Sequence, residues 1–318
     1  MSDLLPGLHH MTALCGDPQQ NIDFYVGVLG LRLVKKTVNF DDPGTYHLYY
    51  GDGLGNPGTL LTFFAWPGAY RGRHGQGQVT ATALTVPENS LDYWRARLAA
   101  VNVVAGETET RFGGKALRFE DPDGLVLELV TRAEAASATE GLWPDSAVPR
   151  EYAIRRLDGV TLTLSRREPT EAMLLNLGFQ RVGEEARRIR YSASTGQSGT
   201  VADIVVDTDA PRASLGIGVV HHVAWRTPND ETELAWRKQL LEQGRSVSPV
   251  MDRDYFHSIY FTEPGGVLFE IATDPPGFTV DEPLETLGTR LCLPAALEET
   301  RALLEAALPV LQAPANRS

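Results

Sequence analysis

The chain repeats itself four times, and such a repeat narrows the choice of folds further than composition does, because a unit unable to bury both faces of its sheet must pair with another copy. Each copy reads as an apolar strand, an amphipathic helix and a set of strands closing on a short turn. The first opens with Leu8-His9-His10-Met11-Thr12-Ala13-Leu14, enters a helix at Asp17-Pro18, carries Ile22, Phe24, Tyr25, Val28 and Leu29 along it, and leaves at Gly30. Its strands over 31–38, 46–50 and 59–64 are separated by Asp-Pro-Gly and Gly-Asn-Pro-Gly. The second copy runs from Gln78-Val79-Thr80-Ala81-Thr82-Ala83-Leu84, through a helix with Leu91, Trp94 and Leu98, to Asp121-Pro122-Asp123-Gly124-Leu125-Val126-Leu127-Glu128-Leu129-Val130. The third is the weakest, opening at 159–164, passing through a helix that ends at Leu177-Gly178, and closing over 201–206. The fourth opens with Val219-Val220-His221-His222-Val223-Ala224-Trp225, has a helix over about 231–243, and closes with Pro264-Gly265-Gly266-Val267-Leu268-Phe269-Glu270-Ile271. Four such copies predict an α+β protein whose βαβββ modules pair into two barrel-like halves with helices outside.

By sequence the chain divides into an N-terminal half (1–133, modules one and two), a linker of low hydrophobicity (134–150), a C-terminal half (151–280, modules three and four) and an extension (281–318). The extension carries an amphipathic helix through Leu297, Leu303, Leu304 and Ala307, stopped by Pro309. Against 29 Lys+Arg stand 41 Asp+Glu, a net charge of −12, which argues against a nucleic-acid partner, whose binding needs clustered cations. No apolar stretch approaches the roughly 18 residues of a membrane span, and the N-terminus lacks a basic segment followed by an apolar one, so a cytoplasmic location is expected. Cys15 and Cys292 form no C-x-x-C pair and read as two reduced thiols.

Of 7 histidines, four fall in two adjacent pairs, His9-His10 and His221-His222, each on the opening strand of a repeat. Strand alternation sends His10 and Thr12 to one face and His9 to the other, and separates His222 from His221 in the same way. Glu270 lies inside an otherwise apolar run, where an unpaired carboxylate is costly to bury and a metal ion resolves the cost. His10, His222 and Glu270 together make a 2-His-1-carboxylate triad, the usual arrangement for non-haem Fe(II) with open positions for oxygen chemistry. A salt bridge to arginine is the competing reading of Glu270, as the comparable Glu128 illustrates. Copies two and three lack histidines on their opening strands, so their half is expected to be metal-free, and copies one and four must pair in space.

Leu8-His9-His10-Met11-Thr12, Asp23-Phe24-Tyr25, Leu33-Val34-Lys35-Lys36-Thr37, Tyr46-His47-Leu48-Tyr49, Gly58-Thr59, His221-His222 and the segment closing on Glu270 resemble the vicinal oxygen chelate superfamily of glyoxalases, bleomycin-resistance proteins and extradiol dioxygenases. Within it, they look like the ring-cleaving dioxygenases that open hydroquinones. The resemblance extends through Gly277-Phe278-Thr279 and Asp281-Glu282 and fades in the third copy and the final helix. It implies an Fe(II) enzyme, able to carry Mn or Zn after purification, that binds a small aromatic para-diol and O2 and puts both oxygen atoms into an opened ring. Thr12, His221, Arg253 and Tyr260 match positions around the metal in that family, with His9 a weaker match. The chemistry expected of them is acid/base work for His221, anion stabilisation for Arg253 and hydrogen-bond donation for Tyr260.

His257 stands where the resemblance would place an acidic residue and reads as an exposed loop-edge histidine, while His47 reads as structural and His74 as a surface residue. The loop 66–77, with Arg71, Arg73 and His74 among glycines, either covers a site or connects two copies. Two other function classes compete with the dioxygenase: a glyoxalase-like isomerase or thiol transferase on the same scaffold, and a binding protein that sequesters an aromatic ligand without turnover. Glyoxalase-type sites commonly add a second Glu, and 59–64 and 201–206 offer none. Exposed sheet edges in such a scaffold favour a homo-oligomer.

Overall fold

The computed structural model describes residues 4–193 and 199–313. Module one comprises β1 (Leu8–Cys15), α1 (Pro18–Ile22) continued by a π-helical turn over Asp23–Val28, β2 (Arg32–Asn39), β3 (Asp42–Gly51) and β4 (Leu60–Ala65). Module two comprises β5 (Gln78–Val86), α2 (Leu91–Ala100), β6 (Thr108–Arg111), β7 (Gly114–Glu120) and β8 (Val126–Thr131). Module three comprises β9 (Arg156–Leu164), α3 (Glu168–Asn176), β10 (Phe179–Glu185), β11 (Arg188–Ala193) and β12 (Val201–Val206). Module four comprises β13 (Val220–Thr227), α4 (Asp230–Glu242), β14 (Met251–Asp252), β15 (Phe256–Thr262) and β16 (Leu268–Pro276), and the extension carries α5 (Arg301–Ala307).

Local chemistry explains where the helices start. The Asp17 carboxylate accepts from the backbone amides of Gln19 and Gln20, with Pro18 at the first helical position. At α4, Asn229 and Thr232 form a reciprocal capping box. Each helix then buries an apolar stripe: Trp94 and Leu98 from α2, Met173 and Leu174 from α3, Trp236 and Leu240 from α4.

The strands form two eight-stranded curled sheets, ordered β14-β15-β16-β13-β1-β4-β3-β2 and β10-β11-β12-β9-β5-β8-β7-β6. Modules one and four therefore share one sheet and modules two and three the other, the pairing required by the split metal ligands. At the centre of the first sheet β1 and β13 run antiparallel, with His10 opposite Ala224 and Thr12 opposite His222. That register is a local two-fold: it exchanges His10 with His222 and Thr12 with Ala224. Each central strand is flanked by the parallel closing strand of its own module, β4 beside β1 and β16 beside β13.

One apolar cluster runs through both sheets, and the edge-on contact of Phe179 with Trp225, ring centroids 4.8 Å apart, ties β10 to β13. The extension lies along β2, where Cys292 N donates to Lys36 O at 2.9 Å, so part of that sheet edge is covered by the chain itself. Fully buried Lys35 reaches Glu282 and Asp281 at 2.5 Å each from the same strand. Loop 66–77 is held against 211–217 by short bridges at Arg71, Arg73 and Gln76, so it is a strapped connection rather than a free loop.

Candidate metal centre and its cavity

Three side chains from three central strands converge on the concave face of the first sheet. His10 Nε2 lies 3.3 Å from His222 Nε2 and 3.3 Å from Glu270 Oε2, and His222 Nε2 lies 2.9 Å from the same oxygen. All three residues are buried. One ion bonded at about 2.1 Å to each of three donors at right angles holds those donors about 3.0 Å apart, so the triangle fits a single first-row metal on one face of its coordination sphere. Glu270 is further fixed by the Ser258 hydroxyl, which donates to Oε1. Burial alone would raise the Glu270 carboxyl; the adjacent His10 and His222 imidazoles outweigh it and hold the group well below the usual carboxylate range. Burial draws His222 down, against the pull of Glu270, which leaves the neutral imidazole a metal needs.

Each imidazole that faces Glu270 is paired through its other nitrogen. His10 Nδ1 lies 2.9 Å from His9 Nδ1, and His222 Nδ1 lies 2.7 Å from His221 Nδ1. Simple alternation would turn His9 and His221 to the convex face. The register of β1 against β13 jumps at both, from Leu8 to His10 and, on the partner strand, from His222 to Val220, so each is the extra residue of a β-bulge. The bulge brings His221 round to line the cavity, while His9 packs its ring against Phe256 at 5.0 Å. His221 is pulled down to about 3, by burial first and then by His222, so at neutral pH it is an uncharged ring and a weaker base than a free imidazole, not the acid/base group expected from the sequence.

The ligands open into a cavity of about 400 Å3 walled by Phe64, Trp66, Phe256 and Leu268 together with Asn39, Asp41 and Asp42 from the β2–β3 turn. Arg253 and Tyr260 lie in its wall, with Arg253 Nε donating to the Tyr260 hydroxyl at 3.2 Å and Nη2 to Asp41 at 3.2 Å. Burial and the nearby Glu270 charge raise Tyr260, which keeps its phenolic proton. Thr12 is fully buried beside the ligands, its hydroxyl 2.7 Å from that of Thr62. The sequence-predicted residues thus come together, with His9 behind the ligands rather than in the cavity wall. His257 faces away: its Nδ1 meets Asp230 at 2.7 Å and it lines a separate outer cleft.

Three residues were missed. His47, read as structural, lines the cavity, with Nε2 3.0 Å from Thr62 Oγ1 and Nδ1 2.9 Å from the Tyr49 hydroxyl. Tyr49 lines it too, and Thr62 completes the chain of contacts to Thr12. Alignment of module one on module four was the signal that could have found Thr62. A larger cleft, about 880 Å3, lies between β2, the linker and the extension, and contains none of these residues.

The second sheet repeats the arrangement with other side chains. Ala81 and Gly159 take the places of the two ligating histidines, Glu128 pairs with Ala83 as Glu270 pairs with Ala224, and Asp203 pairs with Thr161 as Thr62 pairs with Thr12. Guanidinium groups supply the positive charge: Arg111 is bonded to Glu128, and Arg190 grips Asp203 through two bonds of 2.8 Å.

The chain matches the glyoxalase/bleomycin resistance protein/dioxygenase superfamily over residues 7–129 and 173–271. It is 48% identical over 95% of its length, and 95% of the relative's, to MhqO of Bacillus subtilis (strain 168), provisionally named a ring-cleaving dioxygenase. It is 36% identical, over 94% of both chains, to the chlorohydroquinone/hydroquinone 1,2-dioxygenase of Sphingobium indicum. A crystal structure from Bacillus subtilis, provisionally titled a dioxygenase, superposes with a TM-score of 0.93 at 45% identity, covering 98% of this chain and 99% of that one. Glyoxalase I of Zea mays shares the fold, with a TM-score of 0.63 at 16% identity over 84% of this chain and 92% of its own. No helix among the described residues is long and apolar enough to cross a membrane. Matched over residues 7–129 and 173–271 and in near-full-length relatives at up to 48% identity, the chain belongs to the glyoxalase/bleomycin resistance protein/dioxygenase superfamily.

Proposed function

We propose that the protein is a non-haem Fe(II) ring-cleaving dioxygenase that opens hydroquinone-type aromatic diols and puts both atoms of O2 into the product. The observation that carries this reading is a buried two-histidine, one-carboxylate triangle opening into a small aromatic-walled cavity. Near-full-length likeness to proteins named for ring cleavage, one of them for hydroquinones, supports the same reading.

His10, His222 and Glu270 would hold the ion, whose chemistry is to bring an electron-rich ring and O2 together and pass electrons between them. The chain's own residues do the rest. Phe64, Trp66 and Phe256 receive the ring edge and face and keep water out. The uncharged His221 ring, its Nδ1 taken by His222, holds that imidazole in orientation and presents its other nitrogen as an N–H donor to a phenolic oxygen arriving beside it. Arg253, its charge fixed by Tyr260 and Asp41, stabilises anionic oxygen as the ring opens, and Tyr260 donates a hydrogen bond to the same region. His9 holds the His10 ring in orientation through their paired Nδ1 atoms.

Oxygen uptake by protein loaded anaerobically with Fe(II) and offered hydroquinone, methylhydroquinone, chlorohydroquinone and catechol tests the reading. Uptake is expected with the para-diols, and His10→Ala and Glu270→Gln should lower it by at least about a hundredfold, the weight of several kcal/mol of metal-derived stabilisation. Absence of uptake with every diol, with iron demonstrably bound, would return the site to an oxygen-independent isomerase or transferase.

A further inference from the structure

The two-fold at the centre of the first sheet has a consequence for the coordination sphere. Its register makes Thr12 the image of Ala224, and the strand beside each is parallel, so Thr62, opposite Thr12, is the image of Glu270, opposite Ala224. In the second sheet the matching pair of positions holds two carboxylates, Glu128 and Asp203. The architecture therefore accepts an acid at both places, and in the metal-bearing sheet one of them is a threonine.

That threonine is placed by a buried chain. The Tyr49 hydroxyl meets His47 Nδ1 at 2.9 Å, His47 Nε2 meets Thr62 Oγ1 at 3.0 Å, and Thr62 Oγ1 meets Thr12 Oγ1 at 2.7 Å. Thr12 and Thr62 are wholly shielded from solvent, while His47 and Tyr49 line the cavity. The His47 ring is further wedged against Phe64, centroids 4.4 Å apart. Both nitrogens of His47 are engaged, so the ring holds Thr62 and has no nitrogen free for substrate.

We propose that Thr62 is a positioning residue that keeps the image position of Glu270 open for an exogenous ligand, and that His47 and Tyr49 fix its hydroxyl so that the ligand is held on the His47 side of the site. A carboxylate there would complete a four-ligand set and close the position; a hydroxyl held by His47 and Thr12 leaves it free and offers a hydrogen bond instead. This deepens the proposed function and rests on the His10, His222, Glu270 ligand set.

Nitric oxide, which binds Fe(II) only at an open position, is the probe, read by electron paramagnetic resonance on anaerobic iron-loaded protein. Thr62→Glu is expected to retain iron at least as tightly as the parent and to bind nitric oxide at least about tenfold more weakly. Thr62→Val, isosteric and free of added charge, should keep iron and nitric oxide binding, alter the rhombicity of the nitrosyl signal, and weaken anaerobic hydroquinone binding about tenfold by loss of one buried hydrogen bond. Unchanged nitric oxide affinity in Thr62→Glu, or an unaltered signal and unaltered hydroquinone affinity in Thr62→Val, would overturn the assignment. A parent protein that binds nitric oxide as expected but consumes no oxygen with any diol would condemn the reaction and leave the role of Thr62 standing.

Discussion

Glu270 is a carboxylate with no access to water, held ionised by the two imidazoles it faces. Removing either imidazole withdraws both a metal donor and a hydrogen-bond partner of the carboxylate. His222→Ala is therefore expected to purify with far less than one iron per chain by elemental analysis, even after anaerobic reloading. The residues behind the ligands act more gently: His9→Ala and His221→Ala free the ligand rings to rotate and should weaken metal affinity about 10- to 100-fold in competition with a chelator. Glu233 is another buried acid, on α4, pushed up to about 7 by burial, with His257 opposing the effect and Asp230 and Glu270 adding to it. Its folded-state value lies above the usual 4.5, so the unfolded chain gives up this proton first. The contribution is fully present below about pH 4.5 and is lost as pH rises through about 7. Glu233→Gln should thus raise Tm relative to the parent, by a margin that grows between pH 5 and pH 8 in thermal melts.

At the scale of elements, the paired bulges do what alternation forbids. The pattern Leu-His-His and Val-His-His was legible, and so was the turning of one imidazole of each pair toward Glu270. That the second imidazole is brought back into contact depends on one extra residue per strand, and pairing partners determine that extra residue, which a single strand does not display. Helices and closing strands were readable from apolar spacing and from Asp-Pro and Gly punctuation, whereas the π-helical turn at 23–28 and the strapping of loop 66–77 arise from tertiary contacts. Lys35 shows the same limit. In sequence it is a cation in a strand, and in the fold it is fully buried between Glu282 and Asp281 with Cys292 Sγ at 3.6 Å, anchoring the extension to β2. Lys35→Met would leave buried Glu282 without its counter-charge and should cost about 3–5 kcal/mol in urea unfolding, while Lys35→Met with Glu282→Leu should recover much of that loss.

Over the whole molecule, four modules form two sheets of the same design, and charge separates their fates. One sheet gathers two imidazoles around a carboxylate; the other fills the matching space with Arg111 and Arg190 against Glu128 and Asp203. The absence of histidines from the opening strands of copies two and three was legible, but the guanidinium groups that face Glu128 and Asp203 come from β6 and β11, hairpin strands far from the repeat's opening motif. Elemental analysis is expected to find about one ion per chain, unchanged in Glu128→Gln and lost in Glu270→Gln. The proposed reaction has the sheet that carries His10, His222 and Glu270 direct both atoms of one O2 molecule into an opened ring. Its most direct test is a single turnover of hydroquinone under heavy-isotope oxygen, with the ring-opened product read by mass spectrometry. Two heavy oxygen atoms in that product are predicted; a product with one, or an unopened quinone with none, would contradict the account.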